Sequence, residues 1–152
     1  MSAASTKHDL MSEEDRLWAE LHDLVDRLPE DEVATPGYFA EGWSAKDLVA
    51  HIGSWLAEAG VVLERIRFGT YRHDELDIDS MNQQFYEAMK DVPFRTVRGQ
   101  ASAARSRMLL AWGSVDDSAP DADRWIRKAG PSHYAEHLPR LRDWVSEQTG
   151  ST

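Results

Sequence analysis

A chain that contains no cysteine can form no disulfide, carries no thiolate nucleophile or redox pair, and offers no sulfur to a metal. Any metal must then be held by imidazole and oxygen, and any thiol chemistry needs a thiol from outside. Cationic surface is scarce as well: 17 Lys and Arg stand against 27 Asp and Glu, for a net charge of -10. The basic residues form neither a run nor a one-sided helical stripe. Phosphate backbones and anionic lipid surfaces are therefore repelled, and neither nucleic acid nor a membrane is an expected partner. No stretch approaches the roughly 20 apolar residues of a membrane span. The segment from Met1 to Ser12 has no apolar signal-peptide core, so a cytoplasmic address is expected. Familiar catalytic signatures are also missing: there is no G-x-S-x-G elbow, Gly-rich phosphate loop, H-E-x-x-H or EF-hand pattern.

What remains is a helical pattern. With 152 residues and six Trp, the chain has the length and the apolar bodies for one core. A single domain over 1–152 is expected, with 1–11 as a flexible tail. Ser12 and Asp15 have capping-box spacing, and Leu17, Trp18, Leu21, Leu24, Val25 and Leu28 follow at helical intervals up to Pro29. The stretch from Pro29 to Trp43 reads as a loop anchored by Tyr38 and Phe39. Ser44 and Asp47 repeat the capping box, opening a second helix whose apolar face runs from Leu48 to Ile66 before Gly69.

A third helix starts near Asp79 or Ser80, and Pro93 separates it from a fourth that reaches about Trp112. Residues 113–123 form a connection, with a helical turn around Arg124 to Lys128. Ser132 is the expected cap of a last helix through Leu138, Leu141, Trp144 and Val145 that frays from Gln148. Pro139 should kink that helix or set its first turn apart. Strand-like alternation is weak, and confined to the region from Thr70 to Ile78. The expected fold class is all-α: a bundle of four main helices with one or two short extra helices.

Three histidines carry the chemistry. His133 and His137 stand four apart, one turn from each other on one helical face, which suits two imidazoles on one ion. His137 shares its stripe with Tyr134, Leu141 and Trp144 and so points inward. His51 lies at the edge of the apolar face of the second helix beside Trp55, where a buried imidazole needs a partner. If the two helices are neighbours, three imidazoles converge and coordination positions stay open for water or substrate. Core histidines satisfied by single hydrogen bonds are the alternative. His8, His22 and His73 are assigned to the surface. Glu58, two turns beyond His51, is a candidate to orient a ligand or act as base, and Trp43, Trp55, Tyr86 and Trp144 are candidates to line an apolar pocket.

The stretch from Trp43 to Trp55, with Ser44, Asp47, His51 and Ile52 at their places, resembles the W-[ST]-x-x-D-x-x-x-H-[IV]-x-x-W signature of the DinB/YfiT-like superfamily. His133 and His137 resemble its H-x-x-x-H motif, and Asp79 with Asn82 its D-x-x-N segment. Within the superfamily the chain resembles the branch grouped with the N-terminal domains of mycothiol-dependent maleylpyruvate isomerase and with the ClbS/DfsB-type bundles. The resemblance implies a four-helix bundle with a long crossover, often a homodimer, with His51, His133 and His137 in the metal-binding places. It also implies zinc, or nickel or iron in its stead, and a low-molecular-weight thiol co-substrate, as in thiol-dependent transferases and isomerases, or a hydrolase acting on a small molecule. Asn82 joins the expected substrate pocket on the same ground. A small-molecule-binding or self-protection bundle without metal catalysis is the second expectation.

Overall fold

The computed structural model describes residues 3–38, 42–116 and 119–150, so Phe39 lies outside the described residues. Six α-helices run through them: α1 (Ala3–Asp26), α2 (Ala45–Arg67), α3 (Ile78–Met89), α4 (Phe94–Gly113), α5 (Pro120–Ala129) and α6 (Pro131–Thr149). No strand occurs among the described residues, and Thr70 to Asp77 is irregular. The long helices α1, α2, α4 and α6 form the bundle, with α3 and α5 as two short additions. None of the described helices is long and apolar enough to cross a membrane.

Local chemistry explains most boundaries. Ser44 caps α2: its Oγ accepts from Asp47 N at 3.2 Å, and Asp47 Oδ2 accepts from Ser44 N at 2.9 Å, closing both halves of the capping box. Asp77 opens α3 by accepting from Ser80 N at 3.0 Å. Pro120 occupies the first turn of α5, with Asp121 and Asp123 at its positive end and Arg127 and Lys128 at its negative end, as the helix dipole favours. The expected turn near Arg124 is thus a full helix.

Three expectations are corrected. The first helix begins at Ala3 rather than Ser12, so residues 3–11 are helical and not a tail. Lys7 Nζ donates to the Trp112 and Val115 carbonyls at 3.0 and 3.1 Å, and Leu10 is buried. Ser132 is not the cap of α6: Gly130 holds that place and Pro131 the first turn, without a side-chain cap. Of the two expectations for Pro139, the separate first turn is not found: the helix runs through the proline to Thr149. Ala135 and Pro139 are both exposed, so the carbonyl that loses its N–H donor to the proline belongs to the solvent-facing side of the helix.

Helix α2 is the hub. It packs most extensively on α4 and touches α3, α5 and α6, while α6 lies mainly against α1 and α5. The α2–α4 contact is close because Gly53 faces Ala101: a Cβ at Gly53 would stand 2.9 Å from Ala101 Cβ and 3.1 Å from its Cα. No flexible side chain can yield there, so the helices themselves must part. Gly53→Val is expected to lower stability by about 1–3 kcal/mol, read as the urea midpoint; an unchanged midpoint would contradict this packing.

Candidate metal centre

His51 stands two turns into α2, at a height fixed by the Ser44–Asp47 cap. His133 and His137 come from the first two turns of α6. The start of α6 is fixed by a tight α5–α6 junction, where Gly130 N donates to Ile126 O at 2.9 Å. A Cβ on Gly130 would meet that same oxygen at 2.8 Å, which leaves glycine as the residue that fits.

The three imidazoles meet at their Nε2 atoms. His133 Nε2 lies 3.0 Å from His51 Nε2 and 3.2 Å from His137 Nε2, and all three ligand atoms fall within 4.8 Å of one another. The rings stand edge to face, with centroids 4.8 to 5.3 Å apart. Nitrogens sharing a tetrahedral ion at about 2.0–2.1 Å stand roughly 3.3 Å apart; the two separations from His133 match this and the third pair lies within 4.8 Å, so the trio has the donor type and the grouping for one divalent ion. His133 is buried, and His51 and His137 are half-buried. The Nδ1 atoms of His51 and His133 are enclosed without a hydrogen-bond partner, which leaves Nε2 as the nitrogen of each ring that faces the others.

Burial, with the repulsion of the neighbouring imidazoles, pulls His133 down to about 3 and His51 to about 4. The Ala129 backbone opposes the shift of His133 and is the least of its causes. Burial also lowers His137. The trio is therefore neutral at neutral pH, the form in which imidazole ligates a cation. For the metal-free protein the sign follows from linkage: the unfolded chain takes up protons below about pH 6.5 while the folded trio resists. Stability is fully present above that pH and is lost as pH falls towards 4 and then 3. Urea midpoints measured from pH 7 to pH 4 should fall progressively, with a shallower fall in His51→Phe; equal slopes would contradict the assignment.

The trio opens onto a cleft of about 940 Å³. Trp43 stacks on Tyr86, with ring planes 3° apart and centroids at 5.6 Å, and its ring lies 5.4 Å from that of His51. Trp55 Nε1 donates to Asn82 Oδ1 at 2.8 Å, tying α3 to α2 at the cleft. Four of the residues expected in a pocket, Trp43, Trp55, Asn82 and Tyr86, line it.

Trp144 and Glu58 do not, and both expectations are corrected for the same reason. Each shares the azimuth of a histidine but lies further along the helix, by about 16 Å for Trp144 from His133 and about 10 Å for Glu58 from His51. Trp144 is buried against Tyr38, at a centroid distance of 5.9 Å. His22 is also corrected from surface to half-buried: its ring packs edge-on to Trp18 at 4.1 Å, and burial lowers its pKa. His8 is exposed as expected.

The far wall of the cleft has no counterpart in the sequence reading. It comes from the irregular segment after α2 and from α5, where Trp125 Nε1 donates to the Tyr71 hydroxyl at 3.3 Å and Arg124 Nη2 stands 3.3 Å from His73 Nδ1. His73 is exposed, yet it lines the cleft. The signal was an aromatic residue on a short helix with apolar Ala122, Ile126 and Ala129 on its inner side.

Among known proteins, residues 15–147 match the sequence profile of the mycothiol maleylpyruvate isomerase N-terminal domain. The fold is similar to the crystal structure of an uncharacterised protein from Escherichia coli UTI89, with a TM-score of 0.78 over 94% of each chain at 18% identity. At that identity the likeness concerns the fold alone. No curated protein matches the chain.

Proposed function

The chain belongs to the mycothiol maleylpyruvate isomerase N-terminal domain family, a DinB-like family, and from that premise we propose that it is a divalent-metal-dependent enzyme acting on a small molecule with an external thiol or water as nucleophile. The observation that supports this reading is the convergence of three neutral imidazole nitrogens, 3.0 and 3.2 Å apart about His133, at a cleft with aromatic walls. His51, His133 and His137 would hold the ion, and imidazole suits zinc as well as nickel or iron. When bound, the ion supplies Lewis acidity, lowering the pKa of a thiol or water. The protein's own part is to supply three ligands, with no fourth grouped with them among the described residues, which leaves room for the nucleophile.

The remaining residues shape the reaction space. Trp55, held by Asn82, and the stacked pair Trp43 and Tyr86 give a rigid apolar wall that excludes water and orients a flat or apolar substrate body. The nucleophilic sulfur must be brought in, because the chain has no cysteine. The family name points to mycothiol, and a low-molecular-weight thiol is the co-substrate we assign.

The same absence makes the test clean. Mixing a low-molecular-weight thiol with the zinc-loaded protein at neutral pH should produce thiolate absorbance in the ultraviolet, with no protein thiol to confuse it. The metal-stripped protein and His51→Ala should produce none. A signal equal in all three would sink the enzyme reading. The aromatic walls support a second reading, a sequestering bundle without metal catalysis, and it predicts binding of aromatic ligands with no thiolate signal and no turnover.

A further inference from the structure

The least exposed charge among the described residues is Glu14, at 1%, and nothing in the proposed chemistry uses it. Arg105 holds its carboxylate from α4: Nε donates to Oε2 at 2.8 Å and Nη2 to Oε1 at 2.6 Å. The Tyr134 hydroxyl donates to Glu14 Oε2 from α6 at 3.0 Å. Arg105 Nη2 also reaches Asp15 Oδ1 at 2.6 Å, and its guanidinium lies over the Trp18 ring. A buried ion pair is a poor way to hold helices together, since apolar residues of like volume often serve as well or better. Hydrogen bonds do what apolar packing does not: they fix one height and one rotation.

Height and rotation matter here because the histidine trio spans two helices with little direct contact. Helix α6 rests mainly on α1 and α5, and α2 rests mainly on α4. The close approach of Gly53 to Ala101 locks α2 to α4 two residues beyond His51. Arg105 is one turn further along α4, Glu14 answers it from α1, and Tyr134 is the residue that follows His133. A continuous series thus runs from the helix of His51 by close packing to α4, and from α4 through α1 by hydrogen bonds to the first turn of α6, which has no side-chain cap of its own.

We propose that Glu14, Arg105 and Tyr134 are positioning residues that set the register of α6 against α2 and so hold the three imidazoles at ligand spacing. The proposal rests on the reading that this trio holds a metal. Its test separates affinity from stability. Tyr134→Phe removes one hydrogen bond, and the combination Glu14→Leu, Arg105→Met, Tyr134→Phe replaces the network with apolar volume. Zinc affinity is measured by competition with a chromophoric chelator, and stability by urea unfolding of the metal-free proteins.

Zinc affinity is expected to fall about tenfold in Tyr134→Phe and about 10–100-fold in the triple variant, while the triple variant unfolds at the same urea concentration as the unmodified chain or a higher one. Unmodified zinc affinity in both variants would overturn the proposal. If the unmodified chain itself takes up no zinc, the metal reading has failed, and the positioning claim is decided by crystal structures. A His51 Nε2 to His133 Nε2 separation that leaves 3.0 Å in the triple variant supports it, and one that stays there overturns it.

Discussion

Zinc added to the metal-stripped protein should raise its unfolding temperature by about 8–16 °C, and His133→Ala should abolish that rise. The figure follows from linkage: an ion that binds only the folded state and is present at about a thousand times its dissociation constant adds about 4 kcal/mol, and each kcal/mol shifts a domain of this size by about 2–4 °C. The trio exists only when α2 and α6 are docked, so the unfolded chain has no comparable site. His133 is the residue to change because it alone lies within 3.2 Å of both other imidazole nitrogens. Calorimetry with and without a chelator reads the difference within each protein, which cancels any effect of the substitution on the metal-free fold. An equal rise in His133→Ala would place the ion elsewhere, and no rise in the unmodified chain would remove it.

The second large effect is expected at Glu14. Glu14→Ala alone leaves the Arg105 guanidinium, whose side chain is only 18% exposed, without its main partner, and leaves the buried Tyr134 hydroxyl without an acceptor. Stranding one member of a buried ion pair costs about 3–5 kcal/mol. Equilibrium unfolding in urea measures it, and a loss under about 1 kcal/mol would show that the pair is solvated and marginal. The contrast with the apolar triple variant, where no charge is stranded, separates the cost of breaking the network from the cost of lacking it.

Features decided by neighbours in the chain were legible in the sequence. The Ser44–Asp47 cap formed as read because both partners lie within one turn. Pro93 separated α3 from α4 because a missing N–H acts locally. The i,i+4 placement of His133 and His137 put both rings on one face of α6. That His51 joins them depends on which helices are neighbours, and neither periodicity nor spacing decides that; the resemblance of the Trp43–Trp55 and His133–His137 motifs to a known bundle did.

The errors have the opposite cause. Residues 3–11 form a helix whose anchors, Lys7 to the Trp112 and Val115 carbonyls, lie across the chain. Trp144 and Glu58 were placed by azimuth, and azimuth does not give height along a helix. The wall built by Tyr71 and Trp125 brings an irregular segment against a short helix, with no sequence period to announce the contact. The Glu14–Arg105–Tyr134 network was invisible for the same reason, since its three residues come from three helices.

We propose that His51, His133 and His137 bind one divalent metal ion. Elemental analysis of protein purified without a metal-affinity tag tests it most directly, with a His51→Ala, His137→Ala double variant prepared in parallel. Near-stoichiometric metal is expected in the unmodified protein and none in the variant; no metal in either, even after reconstitution with zinc, would contradict binding at this site.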